Sequence, residues 1–210
     1  MNITKTTFEF IDQHPSIKDC VMKGIVNYSA LSRFISRDLG LDPKKHFDAV
    51  VIACRRYYAK VKNKEPMETK IKKLLAASRV EVKNKIVVAV VEKDLYYANL
   101  IELHREIKAK AEVFHIIEGS STMTIITTAG FLEHIRRFFR QKIIKITENL
   151  AELNLKSSRE LEQIPGVMAY LTSLLAGNGI NIIETMSTWT DTLFVIDEKD
   201  VPKAMQVLRF

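Results

Sequence analysis

The chain has 210 residues, of which 47% are apolar and 27% charged, a composition that excludes disordered and fibrous classes and suits about two domains with hydrophobic cores. No apolar run approaches the ~20 residues of a membrane span and the start lacks an apolar signal segment, so we expect a soluble, cytoplasmic protein without a membrane partner. The net charge of +7 lies in the first 78 residues, which carry 15 Lys or Arg against 8 Asp or Glu, whereas the rest carries 17 of each.

The basic front segment has the pattern of four helices, at residues 6–13, 16–23, 28–39 and 43–62. Stop glycines and capping residues mark the helix ends, namely Gly24, Gly40, Ser16, Asn27 and Asp42. Pro43 stands at a first-turn position. These signals predict an all-helical first domain, helix-turn-helix or winged-helix-like, over residues 1–78 with its linker.

The last two of these helices, joined at residues 40–43, have the spacing of a helix-turn-helix. The second of them is predicted to bury Phe47, Val50, Cys54, Tyr58 and Val61. Its other faces carry six cations: Lys44, Lys45, Arg55, Arg56, Lys60 and Lys62. A core-anchored helix with exposed cations suits duplex DNA, and the six residues are the candidate nucleic-acid contacts. The alternative is a solvated basic face, because any helical corner resembles this spacing.

The middle segment follows the order strand, helix, hairpin, helix. A strand is expected at residues 86–91, a hairpin at 113–117 and 123–127, and a further short strand at 79–83, across a tight turn at Asn84. The same order returns roughly 65 to 70 residues later, with its own preceding strand at 142–147 and a turn at 148–149, which indicates an internal repeat.

The last third combines a helix start and an amide that suit a small zwitterion. Pro165 and Gly166 are expected to begin a helix whose apolar stripe is Val167, Leu171, Leu174 and Leu175. Gly177 and Gly179 end it, and Asn181 is set into a predicted buried strand at residues 180–185. The helix start offers N–H groups to a carboxylate, and the amide offers a donor and an acceptor. Alternatively, these residues merely shape turns.

Two segments of this region, Pro165-Gly166-Val167 and Gly179-Ile180-Asn181-Ile182, resemble motifs of the ACT domain, a βαββαβ module of feedback-controlled enzymes. The resemblance covers about residues 150 to 210. It implies that a free amino acid binds where two modules pair in a homodimer. The ligand-binding residues that it implies are Pro165, Gly166, Val167, Gly179, Ile180, Asn181 and Ile182.

The expected fold class is α+β, with two interlocked ferredoxin-like modules after the helical domain. No strand follows the second helix of the last module, so residues 79–83 are expected to complete it and residues 142–147 to complete the first, as in the regulatory tandem of aspartokinases that the sequence resembles. The modules span residues 79–147 and 148–210. Residues 94–97 and Glu112 replace the ligand motifs in the first module, which predicts one competent site per chain.

Catalytic signatures are missing from the sequence. It has no Gly-rich phosphate loop, no nucleophile elbow, and five histidines without metal-ligand spacing. We therefore expect a protein that is not an enzyme and that needs neither a cofactor nor a metal.

The whole chain, including the segment at residues 24–35, resembles a family of prokaryotic, chiefly archaeal, predicted regulators of amino-acid metabolism. The leading hypothesis is thus a homodimeric, amino-acid-responsive transcription regulator that binds DNA. One alternative is a regulatory subunit that binds an amino-acid biosynthetic enzyme. Another is a dimerisation platform without a ligand.

Overall fold

The structure is a computed structural model that describes residues 2–63, 67–93 and 97–210. Two compact units divide the chain, Met1–Lys70 and Ile71–Phe210. The sequence-based boundaries after residues 78 and 147 stay predictions.

The first unit is helical, as expected. It contains α1 (Ile3–Gln13), α2 (Pro15–Met22), α3 (Tyr28–Asp38) and α4 (Pro43–Val61), and α5 (Met67–Ala76) begins in it. Asn27 and Asp42 cap α3 and α4, because their side chains accept hydrogen bonds from the N–H groups of Ala30 (3.0 Å) and Lys44 (2.9 Å). The predicted cap at Ser16 is wrong: α2 begins at Pro15, which suits the first helical position because it has no N–H, and the N-cap residue is His14.

The core of this unit lies between α1, α3 and α4. Val50, Cys54 and Val61 of α4 are buried as predicted, whereas Tyr57 takes the place expected for Tyr58 and is 2% exposed. The Tyr57 hydroxyl donates a hydrogen bond to Asp12 Oδ1 (2.6 Å), so its burial leaves no polar group unpaired. Both cysteine thiols are free, and burial raises the pKa of Cys54 to about 11, which keeps this thiol protonated.

The second unit is a mixed α/β structure with an antiparallel sheet. Its strands are β1 (Arg79–Glu92), β2 (Phe114–Glu118), β3 (Thr122–Thr128), β4 (Ile143–Lys156), β5 (Ile182–Ser187) and β6 (Asp191–Asp197). Its helices are α6 (Tyr97–Ala109), α7 (Leu132–Phe139), α8 (Val167–Gly177) and α9 (Val201–Val207), with short 3-10 turns at Ala129–Phe131, Arg140–Lys142, Arg159–Gln163 and Glu198–Asp200. The strand order is β2-β3-β1-β4-β6-β5.

The two central strands, β1 and β4, each serve both halves of the sheet. Residues 86–91 of β1 pair with β3 and with residues 143–150 of β4, which together with β2 we call the first half-sheet. Residues 79–83 pair with residues 152–156 of β4, which with β5 and β6 form the second half-sheet. Residues 79–83 thus lie beside the second half of the sheet, and their role in completing an ACT module stays a prediction.

The tight turns predicted at Asn84 and at residues 148–149 are wrong. Each central strand is continuous for 14 residues and carries a bulge. The extra residue of β1 lies between the pairs Lys83↔Glu152 and Ile86↔Leu150, and that of β4 lies between Ile86↔Leu150 and Val88↔Thr147. Lys85 and Asn149 have φ of +57° and +58°. The extra residue of β1 shifts the alternation of side chains by one position. As a result, Val82 before the bulge and Val87 after it both pack in helix-covered cores.

Helices cover one face of each half-sheet. Leu103, Ile107 and Ile135 of α6 and α7 pack on the first half-sheet, and Leu171 and Leu175 of α8 pack on the second. The core of the second also includes three residues of α5: Ile71, Leu74 and Leu75.

The opposite faces of the half-sheets pack against each other. Residues from both halves form one buried cluster: Ile86, Val88, Val113, Ile126, Leu150 and Val195. Within this layer Glu152 of β4 is 2% exposed, and its Oε2 lies 2.8 Å from Nε2 of His115 on β2. Burial raises the pKa of Glu184 on β5, and the charge of Lys145 opposes that rise. Within the described ranges, no helix combines the length and apolar character needed to cross a bilayer.

Candidate ligand-binding site

The start of α8 is shaped by its glycine. Gly166 has φ +89° and ψ 1°, a left-handed conformation that favours glycine, and its carbonyl accepts a hydrogen bond from Tyr170 N (2.8 Å). An added Cβ would meet Ile71 Cδ1 at 3.7 Å, an ordinary contact, so the backbone conformation and not crowding selects glycine here. Pro165 does not lie in the first helical turn as predicted. The helix begins at Val167, and Pro165 occupies the turn before it.

A cavity of about 330 Å³ opens beside this helix start. Three segments form its wall: the 3-10 turn that follows β4, the first residues of α8 and the end of β5. The described lining residues are Leu161, Glu162, Ile164, Gly166, Val167, Met168, Ala169, Ser187 and Thr188. The cavity thus lies at one of the two predicted ligand segments.

The cavity combines hydrogen-bond donors with an apolar wall. The N–H groups of the first helical turn have no acceptor within their own helix, and the helix dipole gives this end a partial positive charge. Leu161 and Val167 are buried, and Ile164 and Met168 are half-buried. Such an arrangement suits a small molecule with a carboxylate and an apolar part.

A cation–π contact joins two of the lining segments. The guanidinium of Arg159, in the 3-10 turn, lies 4.6 Å from the ring centroid of Trp189, in the hairpin between β5 and β6. Trp189 is 52% exposed and is the one tryptophan of the chain. Its fluorescence therefore reports on the immediate surroundings of the cavity.

The other predicted ligand segment lies at the far end of α8. Gly179 has φ +72°, and Ile180 N donates to Leu175 O (3.0 Å) as the helix closes. Ile180 is buried in the core, Asn181 is exposed just before β5, and Ile182 is half-buried. The 11 residues of α8 separate Gly166 from Asn181 by roughly 16 Å. The seven-residue assignment stays a prediction, and within one chain its two segments do not meet.

The strand that follows Asn181 differs from the prediction. β5 is an edge strand and is half-buried, not buried, because it pairs with β6 alone within the described sheet. Cavity residues that the sequence reasoning missed include Leu161, Ile164, Ser187 and Thr188. They come together through tertiary contacts, which leave no spacing signal in the sequence.

The corresponding end of the first half-sheet has different chemistry. Strand register equates Met123 with Thr192 and Glu118 with Ser187. Glu118 Oε1 lies 2.7 Å from Lys93 Nζ. Of the residues expected to replace the ligand motif here, 94–96 lie outside the described residues, and Glu112 is exposed.

The six cations predicted as nucleic-acid contacts are all exposed, five on α4 and Lys62 at its C-cap: Lys44, Lys45, Arg55, Arg56, Lys60 and Lys62. Helical periodicity places Lys44, Lys45, Arg55 and Arg56 away from the buried residues Val50, Cys54 and Tyr57. Lys60 lies on the flank of the helix, with its Nζ 5.6 Å from the centroid of the Phe8 ring. Ile52 is 49% exposed on the same side. Their role stays a prediction. In the described part of the chain, no three or more His, Cys, Asp or Glu side chains are grouped for a metal ion.

Comparisons with known proteins identify the last third. Residues 145–209 match the family model of the ACT domain, which confirms that expectation for just under a third of the chain. No curated protein matches the chain.

Several solved structures resemble it at low identity. Aspartate kinase from Clostridium acetobutylicum is 14% identical with a TM-score of 0.51, and the match covers 62% of this chain and 33% of that one. The ligand-free regulatory subunit of aspartate kinase from Thermus thermophilus is 14% identical with a TM-score of 0.48, covering 61% and 92%. Aspartate kinase from Synechocystis is 19% identical with a TM-score of 0.47, covering 63% and 26%. The first likeness establishes an ACT-like fold alone, and this chain spans a third of that enzyme's length.

Proposed function

We propose that this chain is an amino-acid-responsive regulator of amino-acid metabolism and not an enzyme, and that its ACT domain senses a free amino acid. The observation that carries this proposal is the cavity beside Gly166, which lies within the segment that matches the ACT domain. We also infer that the first half-sheet with α6 and α7 is a second, divergent ACT module. Its order of strand, helix, two strands and helix repeats that of the second half.

Thermal unfolding against a panel of amino acids tests the sensing role. A ligand at ~100 times its dissociation constant adds ~2.7 kcal/mol to the stability, which raises the melting temperature by roughly 5 to 10 °C for a chain of this size. Stabilisation by one or a few amino acids is the expected result. If none changes the melting temperature at about 1 mM, the region is a dimerisation platform and the sensing proposal is wrong.

Asn181 tests whether the ligand is shared between two chains. Because Asn181 and Gly166 lie at opposite ends of α8, a site that uses both has to form between copies in a homodimer. Asn181→Ala should abolish the thermal response and leave the fold intact. Asn178→Ala is the matched control, since Asn178 Nδ2 donates to Leu174 O (2.8 Å) and its loss should lower stability but keep the response. A full response in Asn181→Ala would remove this residue from the site.

We further propose that the basic face of α4 binds duplex DNA. The charge asymmetry and the exposure of all six predicted cations support this role. Replacing Arg55 and Arg56 together by Ala should weaken binding and reduce the slope of log affinity against log salt by up to about two units. The charge-matched control replaces Arg105 and Lys108, which are exposed on α6 of the other unit. An equal slope in both variants would exclude α4 from the interface.

The second candidate is a regulatory subunit that binds an amino-acid biosynthetic enzyme. Ile52 favours it, because an apolar side chain 49% exposed among cations suits a protein surface better than phosphates. This candidate predicts weak retention on a DNA or heparin column with little salt dependence. Retention that falls steeply with salt and shifts when the stabilising amino acid is added would favour the DNA-binding regulator instead.

A further inference from the structure

The outer side of α4 changes character along the helix. Helical periodicity places Ile52 away from the buried residues Val50 and Cys54, and Ile52 is 49% exposed. The exposed residues on that side form what we call the outer stripe: Lys45, Asp48, Ala49, Ile52 and Arg56. The outer stripe is thus cationic at its two ends and carries no cation in its middle.

Cations at both ends of α4 lack carboxylate partners. Lys44, Arg55 and Arg56 form no ion pair in the described part of the chain. By contrast, Lys5 of α1 and Lys18 of α2 lie 3.8 and 2.6 Å from carboxylate oxygens. Lys44 and Arg55 are 11 residues apart, or roughly 16 Å along the helix. The major groove of B-DNA is ~12 Å wide, so side chains at the two ends of α4 suit phosphates on its two sides.

The middle of the outer stripe does not suit phosphates. A phosphate repels the Asp48 carboxylate and offers no apolar contact to Ile52. Base edges in the major groove provide what phosphates lack. The C5-methyl group of thymine accepts an apolar side chain, and the amino group of cytosine donates a hydrogen bond to a carboxylate. Ala49 is small and adds no bulk beside Ile52. The middle of the stripe therefore suits base edges, and its ends suit the sugar-phosphate backbone.

We propose that Ile52 contacts the methyl group of a thymine in the major groove of duplex DNA, so that the chain prefers sites with thymine at that position. This inference rests on the proposed function, because it names how the basic face of α4 distinguishes one DNA sequence from another. An acidic protein surface is the competing partner for the same stripe, and it predicts no salt-dependent binding to duplex DNA.

Replacement of thymine by uracil tests the contact, because uracil pairs in the same way and lacks only the methyl group. Duplexes that the 210-residue chain binds are first selected from a random-sequence library, in the presence and absence of a mixture of amino acids. Each thymine of the selected site is then replaced by uracil in turn. One replacement should weaken binding about fourfold, the effect of losing one buried methyl group.

Ile52→Ala completes the test as a double-mutant cycle. The variant should bind the selected site at least about fourfold more weakly, and its affinities for the thymine and uracil duplexes should differ by less than about twofold. Its melting temperature should change little, since Ile52 is exposed. Ile101→Ala is the matched control, because Ile101 is 59% exposed on α6 of the other unit. It should keep both the affinity and the preference for thymine.

The outcomes separate the contact from DNA binding itself. Selected sites that are insensitive to uracil, an unchanged thymine preference in Ile52→Ala, or binding without any selected sequence would each overturn the contact and leave DNA binding standing. The absence of salt-dependent binding to any duplex would overturn the proposed DNA-binding role as well, and would favour an acidic protein surface as the partner of the outer stripe.

Discussion

The two half-sheets share one plan and differ at their corresponding ends. Equivalent core positions are apolar in both, as with Ile125 and Phe194. At the end near the cavity, the second half carries Thr192 and Ser187, whereas the first carries a buried methionine and a glutamate paired with Lys93. The apolar layer therefore fixes the fold, while the strand ends accept different chemistry.

The two half-sheets are expected to unfold together. Phe194→Ala should cost about 3 to 5 kcal/mol and the equivalent Ile125→Ala about 2 to 5 kcal/mol, because both remove fully buried side chains. Since β1 and β4 belong to both halves, each variant should lower one common transition of the second unit. Calorimetry and urea unfolding measure this. Two resolved transitions, each sensitive to one variant, would contradict the shared architecture.

The layer between the half-sheets offers a sharper test. His115→Ala removes the partner of the buried Glu152 carboxylate and should cost about 1 to 3 kcal/mol. Glu184 holds the equivalent position in the second half and lies near Lys145, so Glu184→Ala should cost less. Urea unfolding at pH 7 compares them. Equal losses would show that the imidazole contributes no more than side-chain packing.

Substitutions at the two bulges should change the stability less. Lys85 and Asn149 occupy equivalent positions with positive φ, and asparagine tolerates that conformation better than lysine. Lys85→Gly should stabilise the unit by up to about 1 kcal/mol, whereas Asn149→Gly should be neutral or slightly destabilising. Thermal unfolding measures both. A larger gain at Asn149 would show that side-chain contacts, and not backbone strain, decide the preference.

The contribution of Glu184 to the stability should be small and should depend on pH. Burial raises the pKa of Glu184 above its ordinary value, so the folded state favours the protonated carboxyl. The stability from this group is present below the ordinary carboxyl pKa and is lost as pH rises through the raised value. Glu184→Gln should thus gain under about 1 kcal/mol at pH 7, a gain that vanishes near pH 4. Urea unfolding at both pH values checks this, and a constant gap would be inconsistent with the raised pKa.

Periodicity predicted most of the fold because apolar spacing is a local property. The stripe of α8 followed from it, whereas the place of residues 79–83 beside the second half was expected from the internal repeat and from the resemblance to the aspartokinase regulatory tandem. Tyr57 and Tyr58 are neighbours at the edge of the buried face, and the choice between them depends on Asp12, which is distant in sequence. The bulge at Lys85 has no glycine to mark it. The sequence predicted the part of the cavity at Gly166, which carries a local signal, but not the part at Ser187, which does not.

The continuity of β1 has a consequence for how the chain folds. Its first residues pair with residues 152–156, some seventy positions further along the chain. During synthesis, the partner strand therefore emerges from the ribosome well after β1. Until then the early edge of β1 is an unpaired strand that invites mispairing. Long-range pairing of this kind slows folding, since the entropy cost of closing a large loop precedes the stabilising contacts between the strands. The second unit should therefore fold after translation of both halves, as one slow cooperative body.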